Sequence, residues 1–215
     1  MSRERSEMRN LAHRLYRDHK KMLDLIPKHN PAPDFGFVVY RLFGDSPTRG
    51  KSAKVGDGEL VYSGFAKNGV SFLPANWRKE LDRIGVTWRG CENWWLGYPF
   101  ISLMELKVAD DGTKGNLKLN AEVGPISNHK VRKGIISAIT AAAREKNFDR
   151  LLFPVGASDK GRLYSRFLRK NSIAVNDIYD TDEMGTKFMQ LIADFGPEFE
   201  LVASVIPEFF RLGEL

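Results

Sequence analysis

The sequence contains very little cysteine and histidine. Its 215 residues include one cysteine, Cys91, and four histidines that are scattered along the chain. A single cysteine cannot form an intramolecular disulfide, which is typical of proteins from a reducing compartment. A zinc site needs clustered cysteine and histidine ligands, and no such cluster is present. The sequence therefore excludes a disulfide framework and predicts no metal site of this kind.

Long apolar runs are also missing. No segment approaches the roughly 20 apolar residues that a membrane-spanning helix needs. The first ten residues, MSRERSEMRN, are highly charged and lack the apolar centre of a signal peptide. We therefore expect a cytoplasmic protein with no membrane partner.

The abundant residues predict a packed globule with a basic surface. Hydrophobic residues make up 42% of the chain and aromatic residues 11%, which is enough for a substantial core. Lysine and arginine number 33 against 27 aspartate and glutamate, for a formal net charge of +6. A basic balance favours an anionic partner such as nucleic acid, but many soluble enzymes carry as much charge.

Hydrophobic periodicity predicts helices at both ends of the chain and strands between them. A basic helix is expected at 3–26, a linker at 27–34, a sheet-rich core at 35–156 and a helical part at 157–215. Strands are predicted at 35–43, 59–65, 69–74, 98–108, 116–123 and 150–156, with a loop at 44–58. Helices are predicted at 75–85, 127–146, 158–171 and 181–192, and one or two short ones at 197–212. The pattern indicates a single α+β domain over 1–215, with a central mixed or antiparallel sheet.

The stretch AEVGPISNHKVRKGI, residues 121–135, places unusual charge at the start of a predicted helix. Ser127 stands where an N-cap is expected, and acidic residues normally follow because the helix dipole is positive there. This helix begins instead with four cationic side chains: His129, Lys130, Arg132 and Lys133. Because Val131 and Ile135 take the inward stripe, we expect the two lysines and the arginine to face solvent.

Two interpretations of this basic turn remain open. Free amide groups, the helix dipole and flanking cations together make a phosphate site. The alternative is a solvated surface whose charges are screened by salt. The predicted helix at 158–171 is also basic and adds Arg162 and Arg166 to the candidate nucleic-acid-binding residues.

A different pattern, MELK, suggests catalysis. Glu105 and Lys107 alternate along a predicted strand and so share one face, as a metal-dependent nuclease requires. The carboxylate would bind Mg²⁺ and the lysine would position the attacking water. A second carboxylate must share the metal, and Glu92 and Asp57 are the nearby choices. The alternative is the charged outer face of a half-buried strand.

The segment from 72 to 100 is rich in aromatic residues interleaved with arginine. Aromatic side chains in such a segment can stack on unpaired bases or fill a core. The adjacent Trp94 and Trp95 cannot both face inward from one strand. We therefore predict one exposed tryptophan.

The stretch LKLNAEVGP...VRKGIISAI resembles the C-terminal region of certain bacterial PD-(D/E)XK nuclease superfamily proteins. In these a strand ends in an acidic-apolar-Gly-Pro turn and leads into a helix with an early arginine. The resemblance covers residues 73–143 and implies a setting in a bacterial or phage conflict system. The sequence departs from the family pattern at Gly124, where a catalytic lysine would stand.

These features rank three functions. The first is a non-catalytic module that binds nucleic acid, or a nucleic-acid-bound partner, and needs no cofactor. Its candidate binding residues are His129, Lys130, Arg132, Lys133, Arg162 and Arg166. The second is a Mg²⁺-dependent nuclease that uses Glu105, Lys107 and Glu92. The third is a protein-interaction or inhibitor protein whose basic residues only maintain solubility.

Overall fold

Within residues 35–213, which the computed structural model describes, seven strands form one antiparallel sheet with helices before and after it. The predicted α+β fold with an antiparallel sheet is therefore confirmed. The helix predicted at 3–26 and the linker at 27–34 lie outside the described residues.

The strands follow one another across the sheet in nearly their chain order. They are β1 (Ser52–Val55), β2 (Gly58–Ala66), β3 (Gly69–Pro74), β4 (Phe100–Val108), β5 (Gly115–Val123), β6 (Ser165–Arg166) and β7 (Ser172–Val175). Strands β1 to β5 pair consecutively, and the short β6 and β7 both pair with β5. The two predicted hairpins, β2–β3 and β4–β5, are confirmed. Strand β1 lies inside the segment that was predicted to be a loop.

The helices are α1 (Phe35–Phe43), α2 (Ala75–Ile84), α3 (His129–Glu145), α4 (Thr181–Asp194), α5 (Gly196–Val205) and α6 (Phe210–Gly213). Short 3-10 turns occupy Trp95–Gly97 and Ile206–Phe209. Helix α2 ends as predicted at Gly85, whose φ of 61° lies in the left-handed region and whose amide donates to the Leu81 carbonyl.

The prediction of a strand at 35–43 is wrong, because this segment forms α1. Its buried residues are Phe35, Val38, Val39 and Phe43, which lie on one helical face. A short, nearly continuous apolar run does not distinguish a buried strand from a buried helix by periodicity. Packing decides here: the Phe43 and Phe188 rings both lie against Phe72 of β3, with centroids 6.3 and 6.2 Å away.

Two further predictions near residue 157 are wrong. Within 150–156 only Leu151 pairs, in an isolated bridge to Leu168, and residues 155–161 form turns. The segment 158–171 is not a helix, since it contains β6 and extended chain. Residues 157–175 therefore complete the sheet, and the predicted boundary between a sheet-rich and a helical part is displaced.

Candidate nucleic-acid interface

Helix α3 begins one residue later than the sequence predicts. Asn128, with φ of −82° and ψ of 108°, is its N-cap. The side-chain oxygen of Asn128 accepts hydrogen bonds from the amides of Lys130 and Val131, at 2.9 and 3.4 Å. The prediction that Ser127 caps the helix is wrong, because the Ser127 amide donates instead to the carbonyl of Arg89 at 2.8 Å.

This contact brings the segment around Arg89 to the start of α3. Gly90 permits the close approach, since its φ of 95° favours glycine and a side chain there would overlap Ser127. A residue distant in sequence is thereby added to the helix N-terminus.

Arg132 is buried, with only 2% of its surface exposed, so the prediction that it faces solvent is wrong. Its guanidinium donates to the Gly124 carbonyl at 3.4 Å, to the Ser165 hydroxyl at 2.8 Å and to the Ala157 carbonyl. These bonds join the β5–α3 connection, the loop before β6 and β6 itself. The physical reason for the burial is that fixed oxygens from three segments meet the planar donor group.

All three acceptors of Arg132 are neutral. Burial lowers the pKa of the Arg132 guanidinium, and the nearby positive charge of Arg162 lowers it further. Neither arginine forms an ion pair with any carboxylate of residues 35–213. The site therefore holds closely placed positive charges without a described counter-ion, an arrangement that favours a bound anion.

The loop from 154 to 164 lies against the start of α3. The His129 Nε2 atom is 2.8 Å from the Ser158 carbonyl oxygen, and the Ser165 hydroxyl donates to the Ala157 carbonyl at 3.1 Å. The loop carries the exposed Lys160 and Arg162. Contacts between segments about 30 residues apart thus collect cations that the sequence shows separately.

We call the resulting set of exposed cations the basic surface; its members are Arg89, Lys130, Lys133, Lys160 and Arg162. None of the five pairs with a carboxylate in the described part of the chain. Two exposed acids, Glu92 and Asp159, lie close by in sequence, and Glu92 accepts a hydrogen bond from the Gly90 amide at 2.7 Å. The cations outnumber these acids.

Arg166 does not belong to the basic surface, although the sequence suggested that it binds nucleic acid. It lies on β6 and donates to both carboxylate oxygens of Glu105, at 2.9 and 3.1 Å, and to Glu122 at 3.2 Å. Partial burial lowers the pKa of Arg166, but the hydrogen bonds and charges of these two glutamates outweigh it and raise the pKa above its ordinary value. Its charge is therefore neutralised within the protein.

The nuclease candidates have different surroundings from those a metal site needs. Both oxygens of Glu105 accept from Arg166, and one also accepts from the Asn120 side chain at 2.8 Å. Lys107 is exposed near the end of β4, and Glu92 lies in the loop before it. Among residues 35–213 no group of three Asp, Glu, His or Cys side chains is arranged to hold a metal ion.

The lone cysteine is not a nucleophile at neutral pH. Cys91 is buried, and its burial, aided by the negative charge of Glu92, raises the pKa of the thiol to about 12. A thiol of this kind stays protonated and unreactive.

An aromatic group adjoins the basic surface. The Trp94 ring packs over Gly124, where any side chain would overlap it, and lies 5.8 Å from Trp95 and 6.1 Å from Tyr164 between ring centroids. Both tryptophans are half-buried, so the prediction of one exposed tryptophan is wrong. The reason is that residues 95–97 form a 3-10 turn, to which strand alternation does not apply. The exposed aromatic residue is Tyr164, which sequence reasoning missed despite its place between Arg162 and Arg166.

Comparison with known proteins adds no relative to this description. No family model matches the chain, and searches of curated proteins and of solved structures found no significant match. The described helices include none with the length and apolar character that crossing a membrane requires. The resemblance to PD-(D/E)XK proteins therefore stays an expectation from the sequence, and the case for a function depends on the residues themselves.

Proposed function

We propose that the protein is a non-catalytic module that binds nucleic acid phosphates through the basic surface. The observation that carries the proposal is Arg132, a buried cation with neutral hydrogen-bond partners and with Arg162 as a neighbouring charge. A buried charge without a counter-ion is costly, and a bound anion reduces that cost.

The exposed cations give the proposal its affinity. Phosphate neutralisation by lysine and arginine supplies most of the sequence-independent binding of nucleic acids. The N-terminus of α3 adds its dipole, although Asn128 already occupies the amides of Lys130 and Val131. The side chains rather than free amides are therefore the main contacts.

The surroundings of Glu105 favour binding over catalysis. A carboxylate that ligates Mg²⁺ must present an oxygen to the metal, whereas both oxygens of Glu105 accept from Arg166. Nuclease activity with Mg²⁺ stays a prediction from the sequence. Including Mg²⁺ in one arm of the binding assay tests it, because cleavage of the oligonucleotide would overturn the proposal.

The test is the double substitution Lys130→Glu with Lys133→Glu. Fluorescence anisotropy of labelled oligonucleotides, measured over a salt series, should show a marked loss of affinity. The slope of log K against log salt should shrink by about 0.7 to 0.9 for each phosphate that the variant no longer neutralises. The free energy of unfolding should stay the same or rise by up to about 0.5 kcal/mol, because a glutamate near the helix start complements the dipole.

The matched control is Lys79→Glu with Lys114→Glu, which changes the net charge equally through two exposed lysines outside the basic surface. An equal loss of affinity in both double variants would mean that only overall charge matters. Wild-type protein that binds no oligonucleotide at low salt, or binds without salt dependence, would reject the proposal in favour of a protein-interaction role.

A further inference from the structure

Exposed aromatic and apolar side chains lie beside the basic surface. Tyr164 is 44% exposed and Leu163 is 54% exposed, in a loop that also carries Arg162. The Arg162 side chain donates from Nε to the Tyr164 carbonyl at 3.2 Å. A cation and an accessible ring are therefore neighbours in space as well as in sequence.

The structure holds this ring in place. The Tyr164 ring meets Trp94 at an angle of 44°, and Trp94 is itself seated over Gly124. The next residue, Ser165, is buried and bonds to both Arg132 and Ala157. Because its backbone adjoins a buried network, Tyr164 presents its ring with little loss of conformational freedom on binding.

We infer that the basic surface takes single-stranded nucleic acid, with phosphates on the exposed cations and an unpaired base stacked on Tyr164. This inference rests on the proposed function. A duplex hides the faces of its bases, so an exposed ring contributes to binding only when bases are unpaired. Unpaired cations beside a ring are the combination found in grooves that follow a single strand.

The experiment compares one oligonucleotide of about 15 nucleotides, single-stranded and annealed to its complement, against the full chain at one ionic strength. The single strand should bind about tenfold more tightly than the duplex. Tyr164→Ala should lower the single-strand affinity about tenfold more than the duplex affinity, and Tyr164→Phe should restore most of that loss. Tryptophan emission should change on single-strand binding, because Trp94 packs against Tyr164.

Tyr40→Ala is the matched control. Tyr40 is 42% exposed, packs its ring edge-on against Phe65 with centroids 6.4 Å apart, and lies on α1 outside the basic surface. Its loss should leave the ratio of the two affinities unchanged. Circular dichroism melts of all three variants identify any that fail to fold, and Tyr164→Phe then carries the comparison with wild type through tryptophan emission.

The outcomes separate this inference from the proposal on which it rests. Equal binding of single strand and duplex, or a Tyr164→Ala ratio like that of wild type, would overturn the single-strand inference and leave phosphate binding intact. An absence of binding to either oligonucleotide at low salt would overturn both, and would favour a protein partner for the exposed Leu163 and Tyr164.

Discussion

Arg132 connects the fold and the surface charge through a single side chain. Its guanidinium bonds to oxygens at residues 124, 157 and 165, and so joins the start of α3 to β6 and to the loop before it. The adjacent Lys133 is exposed and makes no comparable set of hydrogen bonds within the described residues. Two neighbouring cations thus have different roles, one structural and one available to a ligand.

The first prediction compares these neighbours. Arg132→Met should lower the free energy of unfolding by about 1–3 kcal/mol, because buried oxygens lose their donor. Lys133→Met should change it by less than about 0.5 kcal/mol, as expected for an exposed position. Urea unfolding followed by tryptophan fluorescence measures both values. Equal effects of the two substitutions would contradict the structural role of Arg132.

Helices α3 and α4 start with the same kind of cap but opposite charge. Asp180 caps α4 through hydrogen bonds from the amides of Asp182 and Glu183, both at 2.9 Å. Acidic residues follow that cap, as the dipole favours, whereas cations follow Asn128 in α3. The difference makes α3 the helix whose N-terminus an anionic ligand would stabilise.

A second prediction tests the start of α3. Asn128→Ala should cost about 1 kcal/mol of stability, because the amides of Lys130 and Val131 lose their acceptor. Ser127→Ala should cost less than about 0.5 kcal/mol, since only the backbone amide of Ser127 is engaged and alanine keeps it. Thermal or urea unfolding decides between them. A larger effect at Ser127 would restore the cap that the sequence suggested.

At the scale of the whole molecule, α4 joins the first described helix to the far part of the sheet. Arg41 of α1 forms an ion pair with Asp182. Glu183 accepts hydrogen bonds from the amides of Asn176 and Asp177, just after β7, at 3.1 and 3.0 Å. Because one helix contacts both α1 and the end of β7, its ionisation affects the stability of the fold rather than of one element.

The third prediction concerns acid. The hydrogen bond from Lys187, together with the Asn176 amide, lowers the pKa of Glu183 from 4.5 to about 2. A carboxylate with a depressed pKa stabilises the folded state above its unfolded pKa, so this contribution should be lost as the pH falls from about 4.5 towards about 2. Glu183→Gln should therefore weaken the pH dependence of the unfolding free energy over that window. Urea unfolding at several acidic pH values measures it.

Glu145→Gln is the control for this prediction. Glu145 is exposed at the end of α3 and is not hydrogen-bonded to another described side chain. Its substitution should leave the wild-type pH dependence in place. A Glu183→Gln variant that also keeps it would show that other carboxylates account for the acid sensitivity.

Local rules were enough to predict several features of the fold from the sequence. Alternating residues around the turn ADDGTKG predicted the β4–β5 hairpin, and Gly85 predicted the end of α2. The basic residues at the start of α3 were visible as well. Each of these signals depends on neighbours within a few residues, which is the range over which backbone preference and turn chemistry act.

The remaining features depend on packing between remote segments. The run at 35–43 became a helix because its aromatic face packs on Phe72 and Phe188, which are distant in sequence. Arg132 became buried because oxygens of Ala157 and Ser165 come to it from about 30 residues away. The loop with Tyr164 joined the basic surface through the same hydrogen bonds. Such packing has no local sequence signature, because side-chain burial depends on which segments meet and not on adjacent residues.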